Sequence, residues 1–269
     1  MVKKLFKHEF ISYGQVMALV YGILLIVAVA TKLILVFESD TTAYQIIRGF
    51  TILLYVVSVL VALGFAFVMA IVRFYRNLFT SEGYLSFTLP VTTSQHIIVK
   101  AVTAVCVEWV TMLMVIASAC IVLSGEALGL VWKGLGVILD DIYATVGAHA
   151  IAFGIELFVM MLLASFTSVM LYYTCISIGQ LSRKNRVLAA VGVYFAYYIL
   201  TQILSTILTI LLTVFAASGL MEELGYWIAM HPNASIHLSM CISIVLSAAF
   251  LLIEFIVVRS IITKKLNLE

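Results

Sequence analysis

The sequence predicts an all-α membrane protein with six transmembrane helices. Of its 269 residues, 64% are hydrophobic and only 10% are charged, and the mean hydropathy is +1.21, whereas roughly half of the residues in a soluble domain are apolar. The apolar stretches are long and continuous, and the chain contains only two prolines. Continuous stretches are typical of spanning helices, while a transmembrane barrel shows alternating patterns. The chain therefore requires a lipid environment.

The first 13 residues are predicted to form an interfacial helix that precedes the spans. Its apolar residues share one helical face, at the spacing i, i+3 and i+4, while Lys3, Lys4 and Lys7 face away from it. That face consists of Val2, Leu5, Phe6, Phe10 and Tyr13. An amphipathic helix of this kind lies in the membrane–water interface. A basic tail that only directs membrane insertion explains the same residues equally well, so both interpretations stay open.

Six apolar stretches follow, and each reaches the roughly 20 residues that a spanning helix needs. The first contains Lys32, which lies near one end of its span and can extend its ammonium group to the interface. Their approximate bounds are Val16–Phe37, Ile52–Val72, Val99–Leu123, Ile151–Ile176, Val187–Val214 and Leu238–Val258.

The basic residues predict the direction of the spans, because cytoplasmic loops are rich in Lys and Arg. With both termini inside, twelve of the 15 basic residues fall on the inner side. Only Lys32, Arg48 and Lys133 then lie on the outer side, where acidic loop residues collect. We therefore expect a multi-pass protein of a bacterial plasma membrane with both termini in the cytoplasm.

The longest inner connection, residues 73–100, is amphipathic throughout and unlike a simple turn. Gly83 and Pro90 interrupt it, and Thr92 with Gln95 fits a capping box that starts the third span. Either the segment folds back onto its own protein, or it docks onto a cytoplasmic partner. We favour docking, because many large apolar side chains cluster in a segment placed in water. They are Phe79, Tyr84, Leu85, Phe87 and Leu89.

The chain resembles ABC-2 type exporter permeases, particularly the small six-span permeases common in Firmicutes. The resemblance rests on the amino-terminal helix, the six spans, the long loop between spans two and three, and the wording SEGYLSFTLPVTTSQHIIVK at Ser81–Lys100. It covers the whole chain and is specific in this loop, which looks like the Gly-Tyr-Leu, Thr-Leu-Pro stretch of such permeases. It implies a single transmembrane domain, residues 1–269, with an ABC-2 permease-like bundle.

The same resemblance implies a cytoplasmic ABC ATPase as partner and a second permease, identical or related. In the family, the loop forms a coupling helix that enters a cleft on the ATPase. The family also places a re-entrant segment on the outer side, here residues 215–237. The outer stretch Gly125–Ala150 is longer than the family leads us to expect, and it can form another interfacial helix. The residues that the resemblance assigns to coupling are Phe79, Glu82, Gly83, Tyr84, Leu85 and Phe87.

The sequence contains no recognisable catalytic motif. No G-x-x-x-x-G-K-[ST] loop is present to bind the phosphates of a nucleotide, and G-x-S-x-G and H-E-x-x-H are absent as well. The four cysteines lack C-x-x-C spacing, so no zinc site is predicted. We therefore expect no enzyme activity, no cofactor or metal in this chain and no nucleic-acid partner. ATP and magnesium are expected only in the partner ATPase.

Three acidic residues lie within predicted spans, where ionisable groups are costly and are functional candidates by default. Each lies fewer than ten residues from the end of its span. We favour a structural role for Glu108 and Glu254. For Glu156 the structural and functional roles are equally supported.

Hydroxyl residues recur every four positions on the fifth span. Such a stripe can line a polar pathway, or each hydroxyl can bond the carbonyl one turn back while the helix simply packs. We favour packing. The stripe consists of Thr201, Ser205, Thr209 and Thr213, and its first three members join Glu156 as candidate pathway residues.

Ala62, Ala66 and Ala70 form a small-residue ridge on the second span. Such a ridge permits the close approach of another helix or of a second copy of the chain.

The leading hypothesis is the permease subunit of an ABC exporter, in which closure of the ATPases pulls on the Thr80–Leu89 region and rocks the helix bundles. Lipids, hydrophobic drugs and amphipathic antimicrobial peptides are compatible cargoes. Two alternatives stay open: an ion-coupled secondary transporter with Glu156 as its coupling site, and a membrane anchor or sensor subunit without cargo. Co-purification of an ATPase distinguishes the first hypothesis from the other two.

Overall fold

The computed structural model describes residues 2–37, 39–80, 83, 91–123, 125–182, 185–217 and 222–264. These residues are almost entirely helical, and none of them lies in a strand. The described helices, in chain order, are α1 (Val2–Val36), α2 (Thr42–Phe79), α3 (Thr93–Val122), α4 (Glu126–Val146), a 3₁₀ turn (Gly147–His149), α5 (Ala150–Gly179), α6 (Arg186–Ala217), α7 (Glu222–Met230) and α8 (Pro232–Lys264).

Six stretches of described helix are long and apolar enough to cross a membrane, which confirms the predicted number. The chain is thus all-helical in its described part and fits a multi-pass membrane protein. Several helices are longer than a span requires. α1 has 35 residues and α2 has 38, about 52 and 57 Å at 1.5 Å per residue, against a hydrocarbon core of about 30 Å.

The amino-terminal residues do not form a separate helix. α1 continues from Val2 to Val36 without a break, so the predicted interfacial segment is the first part of a longer helix. Within this part of the helix, Glu9 and Tyr13 are buried, whereas Phe10 is exposed. The physical reason is that α1 packs against α2 and α3. No proline follows Tyr13 to end the helix before the first span.

Three local predictions can be compared with the structure outside the spans. The capping box is confirmed, since the Thr92 hydroxyl accepts from the Gln95 amide at 3.4 Å and the Gln95 side chain accepts from the Thr92 amide at 3.1 Å. The stretch Gly125–Ala150 contains α4, so it is helical as envisaged. Within the predicted re-entrant segment 215–237, the short helix α7 precedes the start of α8.

The chain divides into two compact units, Met1–Asp141 and Ile142–Glu269. In the first unit, α1 packs against α2 and α3, and α2 also packs against α3. Its core joins Tyr13 and Met17 of α1 with Ala66 of α2 and Val107 of α3. The whole alanine ridge of α2 is buried, and Ala66 belongs to this core. The small residues therefore serve helix packing within the chain.

Tyrosine hydroxyls connect the three long helices of the first unit along their length. Each makes a hydrogen bond to a neighbouring helix, so the apolar packing is supplemented by directional contacts. These bonds are Tyr13 to the Ala66 carbonyl (3.0 Å), Tyr21 to the Thr111 hydroxyl (2.7 Å), Tyr55 to the Ser118 hydroxyl (3.1 Å) and Tyr44 to the Ile34 carbonyl (2.8 Å).

In the second unit, α5 packs against α6 and α8, and α7 contacts α8. The end of α5 lies very close to the start of α6. A Cβ atom added at Gly179 would lie 2.7 Å from the Cβ and the amide nitrogen of Ala190. Glycine is therefore required for this approach. Nearby, the rings of Tyr172 and Tyr194 stack with their centroids 6.2 Å apart.

Candidate functional site

A buried carboxylate in the first unit contacts both ends of the segment 73–100. Glu9 Oε2 accepts a hydrogen bond from the Arg73 guanidinium at 3.1 Å. Glu9 Oε1 accepts from Lys100 Nζ at 2.6 Å and from Asn77 Nδ2 at 3.0 Å. Only 7% of Glu9 and 6% of Lys100 is exposed. One side chain of α1 thus fixes the last turns of α2 and the first turns of α3. We call these four residues the Glu9 cluster.

Helical spacing explains why the Glu9 cluster forms at this position. Ala66, Ala70, Arg73 and Asn77 are separated by four, three and four residues, so they lie along one face of α2. The small alanines bring α1 close to α2. Glu9 and Tyr13, four residues apart on α1, then face Arg73 and Asn77 where the alanines end.

The ring of Tyr13 adds a second contact to Arg73. The Arg73 guanidinium carbon lies 5.1 Å from the centroid of the Tyr13 ring, within the range of a cation–π interaction. The Tyr13 hydroxyl donates to the Ala66 carbonyl, which holds the ring in place. Arg73 is therefore restrained by a carboxylate and by an aromatic face.

The energetics make the Glu9 cluster sensitive to the loss of its acid. Two cations share one carboxylate, so removing that carboxylate would break both ion pairs at once. Breaking a buried ion pair in this way costs about 3–5 kcal/mol.

The residues predicted to couple to an ATPase are described only in part. Glu82, Tyr84, Leu85 and Phe87 lie outside the described residues. Gly83 is buried, and its amide donates to the Thr80 carbonyl at 2.8 Å. A Cβ atom added there would lie 2.7 Å from the Leu78 carbonyl oxygen. Glycine therefore permits the chain to turn back against the end of α2.

Phe79 belongs to the packing of its own chain. It is 7% exposed, and its ring lies 5.7 Å from Phe74 and 6.4 Å from Tyr75, centroid to centroid. A side chain buried to this extent offers little surface to a partner. We therefore do not include Phe79 in a docking surface and regard it as packing within the first unit.

The second unit contains another polar group, centred on the predicted pathway residue Glu156. His237 Nδ1 of α8 lies 2.8 Å from Glu156 Oε1 of α5, and His237 Nε2 lies 3.3 Å from His149 Nδ1. The His237 ring stacks on Phe153 with 4.0 Å between centroids and 3° between planes. His149 is exposed and Glu156 is half-buried, so the chain of contacts leads inward. We call Glu156, His237 and His149 the Glu–His–His chain.

An open cleft of about 780 Å³ adjoins this group. α7, the start of α8 and the 3₁₀ turn provide its walls, and the exposed end of the Glu–His–His chain opens into it. It is lined by His149, Trp227, Met230, His231, Pro232, Asn233, Ala234, His237, Leu238 and Cys241.

The hydroxyl stripe of α6 does not join Glu156 in any contact between described side chains. Thr201 and Ser205 donate to carbonyls three residues back, at 2.9 Å each. Thr209 and Thr213 donate to carbonyls four residues back, at 2.8 Å each. Each hydroxyl is thus bonded to its own helix, but Ser205, Thr209 and Thr213 are exposed, so the packing of the stripe stays a prediction. The structure therefore does not combine the predicted pathway residues into one site.

Glu254 and Glu108 are the other acidic residues within the predicted spans. Glu254 is buried, and Tyr197 donates to its Oε1 at 3.5 Å. Glu108 is half-buried. Within the described part of the chain, no group of three or more His, Cys, Asp or Glu side chains is arranged to hold a metal ion.

The Glu9 cluster and the Glu–His–His chain have the same arrangement, which was not predicted from the sequence. In each unit, an acid near the start of the first long helix pairs with a base near the start of the third: Glu9 with Lys100, and Glu156 with His237. The residues of each pair lie 91 and 81 positions apart. For Glu9, the one available indication was an acid one helical turn before Tyr13 on the predicted apolar face.

Comparison with protein-family models, with curated proteins and with solved structures found no match to this chain. Its function must therefore be argued from its own residues.

Proposed function

We propose that this chain is the membrane-spanning permease subunit of an ABC exporter, which moves a hydrophobic or amphipathic cargo with ATP hydrolysed by a separate cytoplasmic ATPase. The subunit pairs with a second permease in a bacterial plasma membrane, with both termini in the cytoplasm. Magnesium and ATP bind to the ATPase. Six apolar helices, the basic-residue distribution and the missing nucleotide-binding loop support this assignment.

The observation that carries the proposal is the Glu9 cluster. The buried carboxylate of Glu9, on α1, joins that helix to both ends of the segment 73–100. A partner that pulls on this segment would tend to move α1, α2 and α3 together, because breaking the buried ion pair costs about 3–5 kcal/mol. This arrangement suits a segment that transmits force.

Docking is tested with the double variant Leu85→Asp, Phe87→Asp. Burying one large apolar side chain contributes roughly 1.5–3 kcal/mol, so we expect at least ten-fold less ATPase to co-purify with the tagged chain in mild detergent. The thermal stability of the chain should stay unchanged, because the spans are untouched. The matched control is Ser39→Asp, Thr41→Asp, which adds two charges at the opposite end of α2.

The opposite result is equally clear. If the Leu85, Phe87 variant loses thermal stability while its folded fraction still captures the ATPase, the segment is internal packing. The docking proposal would then be wrong.

A proton-coupled secondary transporter is the second candidate function, and the Glu–His–His chain favours it. Glu156 lies within the fourth predicted span, where ionisable groups commonly mark ion pathways, and it pairs with the ionisable His237. Transport by the reconstituted chain alone, driven by a pH gradient without ATP, would favour this function over the first.

A further inference from the structure

The cleft of the second unit combines an apolar wall with a concentration of imidazoles. Trp227, Met230 and Leu238 supply large apolar surfaces, and three histidines supply the polar edge. Its volume of about 780 Å³ falls within the range of roughly 300–1,000 Å³ that is usual for small-molecule sites. Such a surface suits a molecule that has an apolar body and a polar head.

Glu156 determines how His237 uses its two ring nitrogens. The carboxylate oxygen accepts from His237 Nδ1–H at 2.8 Å, because an ionised carboxylate can only accept. Parallel stacking on Phe153 at 4.0 Å holds the ring plane. His237 Nε2 is thereby directed to His149 Nδ1 at 3.3 Å.

The number of protons held by the Glu–His–His chain determines whether His149 presents a hydrogen-bond acceptor or a donor to the cleft. When His237 is neutral, its Nε2 accepts, so His149 donates from Nδ1 and keeps a lone pair on Nε2. When the Glu–His–His chain holds one more proton, His237 donates from both ring nitrogens and His149 accepts at Nδ1. His149 then carries a hydrogen on Nε2.

The proton balance of this change is simple. One proton binds at His149 Nε2, and the proton on His149 Nδ1 passes to His237 Nε2. The positive charge then lies on His237 and is balanced by the Glu156 carboxylate. The cleft has gained a hydrogen-bond donor backed by an ion pair.

We propose that this cleft binds an amphipathic molecule with an acidic head group, and that the molecule binds together with one proton. The proposal rests on the proposed function, since such a molecule would be the exporter's cargo. The anionic head accepts from His149, and the apolar chain lies along Trp227, Met230 and Leu238. A neutral alcohol of the same chain length finds the same apolar wall but gains nothing from the proton.

Among the described residues, a small number of other titratable groups lie on the elements around His237. His231, between α7 and α8, and Cys241, one turn further along α8, line the cleft. α6 contains Arg186 as its single charged residue, at its first position. α7 carries Glu222 and Glu223 in its first turn. His231→Gln therefore separates a contribution of that imidazole from the Glu–His–His chain.

The test uses the full chain in phosphatidylcholine nanodiscs and two photoreactive probes with the same diazirine-bearing hexadecyl chain. One probe ends in a sulfonate, which is ionised at both pH 6 and pH 8, and the other ends in an alcohol. Labelling of the peptide 222–241 is measured by mass spectrometry. At pH 6 we expect the sulfonate to label about ten-fold more than the alcohol, the size of one hydrogen bond to a charged group. At pH 8 the difference should disappear, because the proton that binds together with the acidic head group is much scarcer than at pH 6.

Glu156→Gln and His149→Ala should each abolish the sulfonate preference at pH 6 without changing labelling by the alcohol. His149 is exposed, so His149→Ala gives a folded variant if Glu156→Gln does not. His8→Ala, an exposed histidine of the first unit, is the matched control and should keep the preference. Alcohol labelling reports in each case that the cleft is intact.

Equal labelling by both probes at pH 6, or a sulfonate preference that survives in both variants, would overturn the inference. Failure here is separable from failure of the proposed function. If an ATPase co-purifies with the protein but the sulfonate preference is absent, the exporter assignment stands and the inference about the cleft fails. If the sulfonate preference is clear but no ATPase co-purifies with the protein, the binding site is supported and its role in ATP-driven export is contradicted.

Discussion

Lys100 Nζ lies 2.6 Å from Glu9 Oε1, although 91 residues separate the two in the chain. Both side chains are buried, and Arg73 contacts the other oxygen of the same carboxylate. This contact holds the end of α2 and the start of α3 to one turn of α1.

The first prediction concerns this carboxylate. Glu9→Gln keeps the shape of the side chain but removes the negative charge that Arg73 and Lys100 both contact. We expect the free energy of unfolding to fall by about 3–5 kcal/mol, measured by thermal or denaturant unfolding in mild detergent. Glu126→Gln, which neutralises an exposed acid at the start of α4, should have little effect.

A double variant sharpens the test of the Glu9 cluster. Adding Lys100→Met to Glu9→Gln removes the cation that has lost its contact with Glu9 and should restore part of the lost stability. Additive losses in the double variant would contradict an ion pair between these two residues.

The second prediction concerns Gly83. Gly83→Ala places a methyl group 2.7 Å from the Leu78 carbonyl oxygen, so the turn after α2 must open. We expect a loss of about 1–3 kcal/mol and less ATPase captured by the tagged chain. Gly64→Ala is the control, because nothing lies within 4 Å of its added Cβ, and it should be neutral or slightly stabilising. Equal behaviour of the two variants would show that the close approach at Gly83 is unimportant.

The third prediction concerns the hydrogen bond between Tyr21 and Thr111, at 2.7 Å. Tyr21→Phe and Thr111→Val should each lower the free energy of unfolding by about 0.5–1.5 kcal/mol. The double variant should cost less than the sum, because both single changes remove the same bond. Tyr198→Phe, at an exposed position on α6, is the control. Strict additivity would show that the two hydroxyls contribute independently.

The fourth prediction is topological. In a background without native cysteines, single cysteines at Ser81 and Ser218 should react oppositely with an impermeant thiol reagent in intact cells. The distribution of Lys and Arg predicts that Ser218 lies outside and Ser81 inside. Labelling of Ser81 from outside would refute the predicted orientation.

Local features of the fold were predictable from the sequence. The number of long apolar helices follows from stretch length alone, and the capping box at Thr92 and Gln95 depends on residues three positions apart. The continuity of α1 was missed because charge patterning suggested a boundary near Tyr13. The backbone has no reason to break there.

The polar groups could not be predicted in the same way. Whether Lys100 meets Glu9 depends on the relative height and rotation of α1 and α3, which no local pattern contains. The same holds for Glu156 and His237, on the first and last long helices of the second unit. The hydrogen bonds of the hydroxyl stripe could be predicted because they remain within one helix.

α1 and α2 are joined at both ends, by Glu9 with Arg73 at one and by Tyr44 with the Ile34 carbonyl at the other. Two helices fixed in this way cannot slide past each other to adjust their exposed length. Among the responses to a thinner or thicker bilayer, these contacts favour a change in the tilt of α1 and α2 together. Because the segment between Arg73 and Lys100 is attached to the same helices, we expect a change in lipid chain length to reach that segment as well.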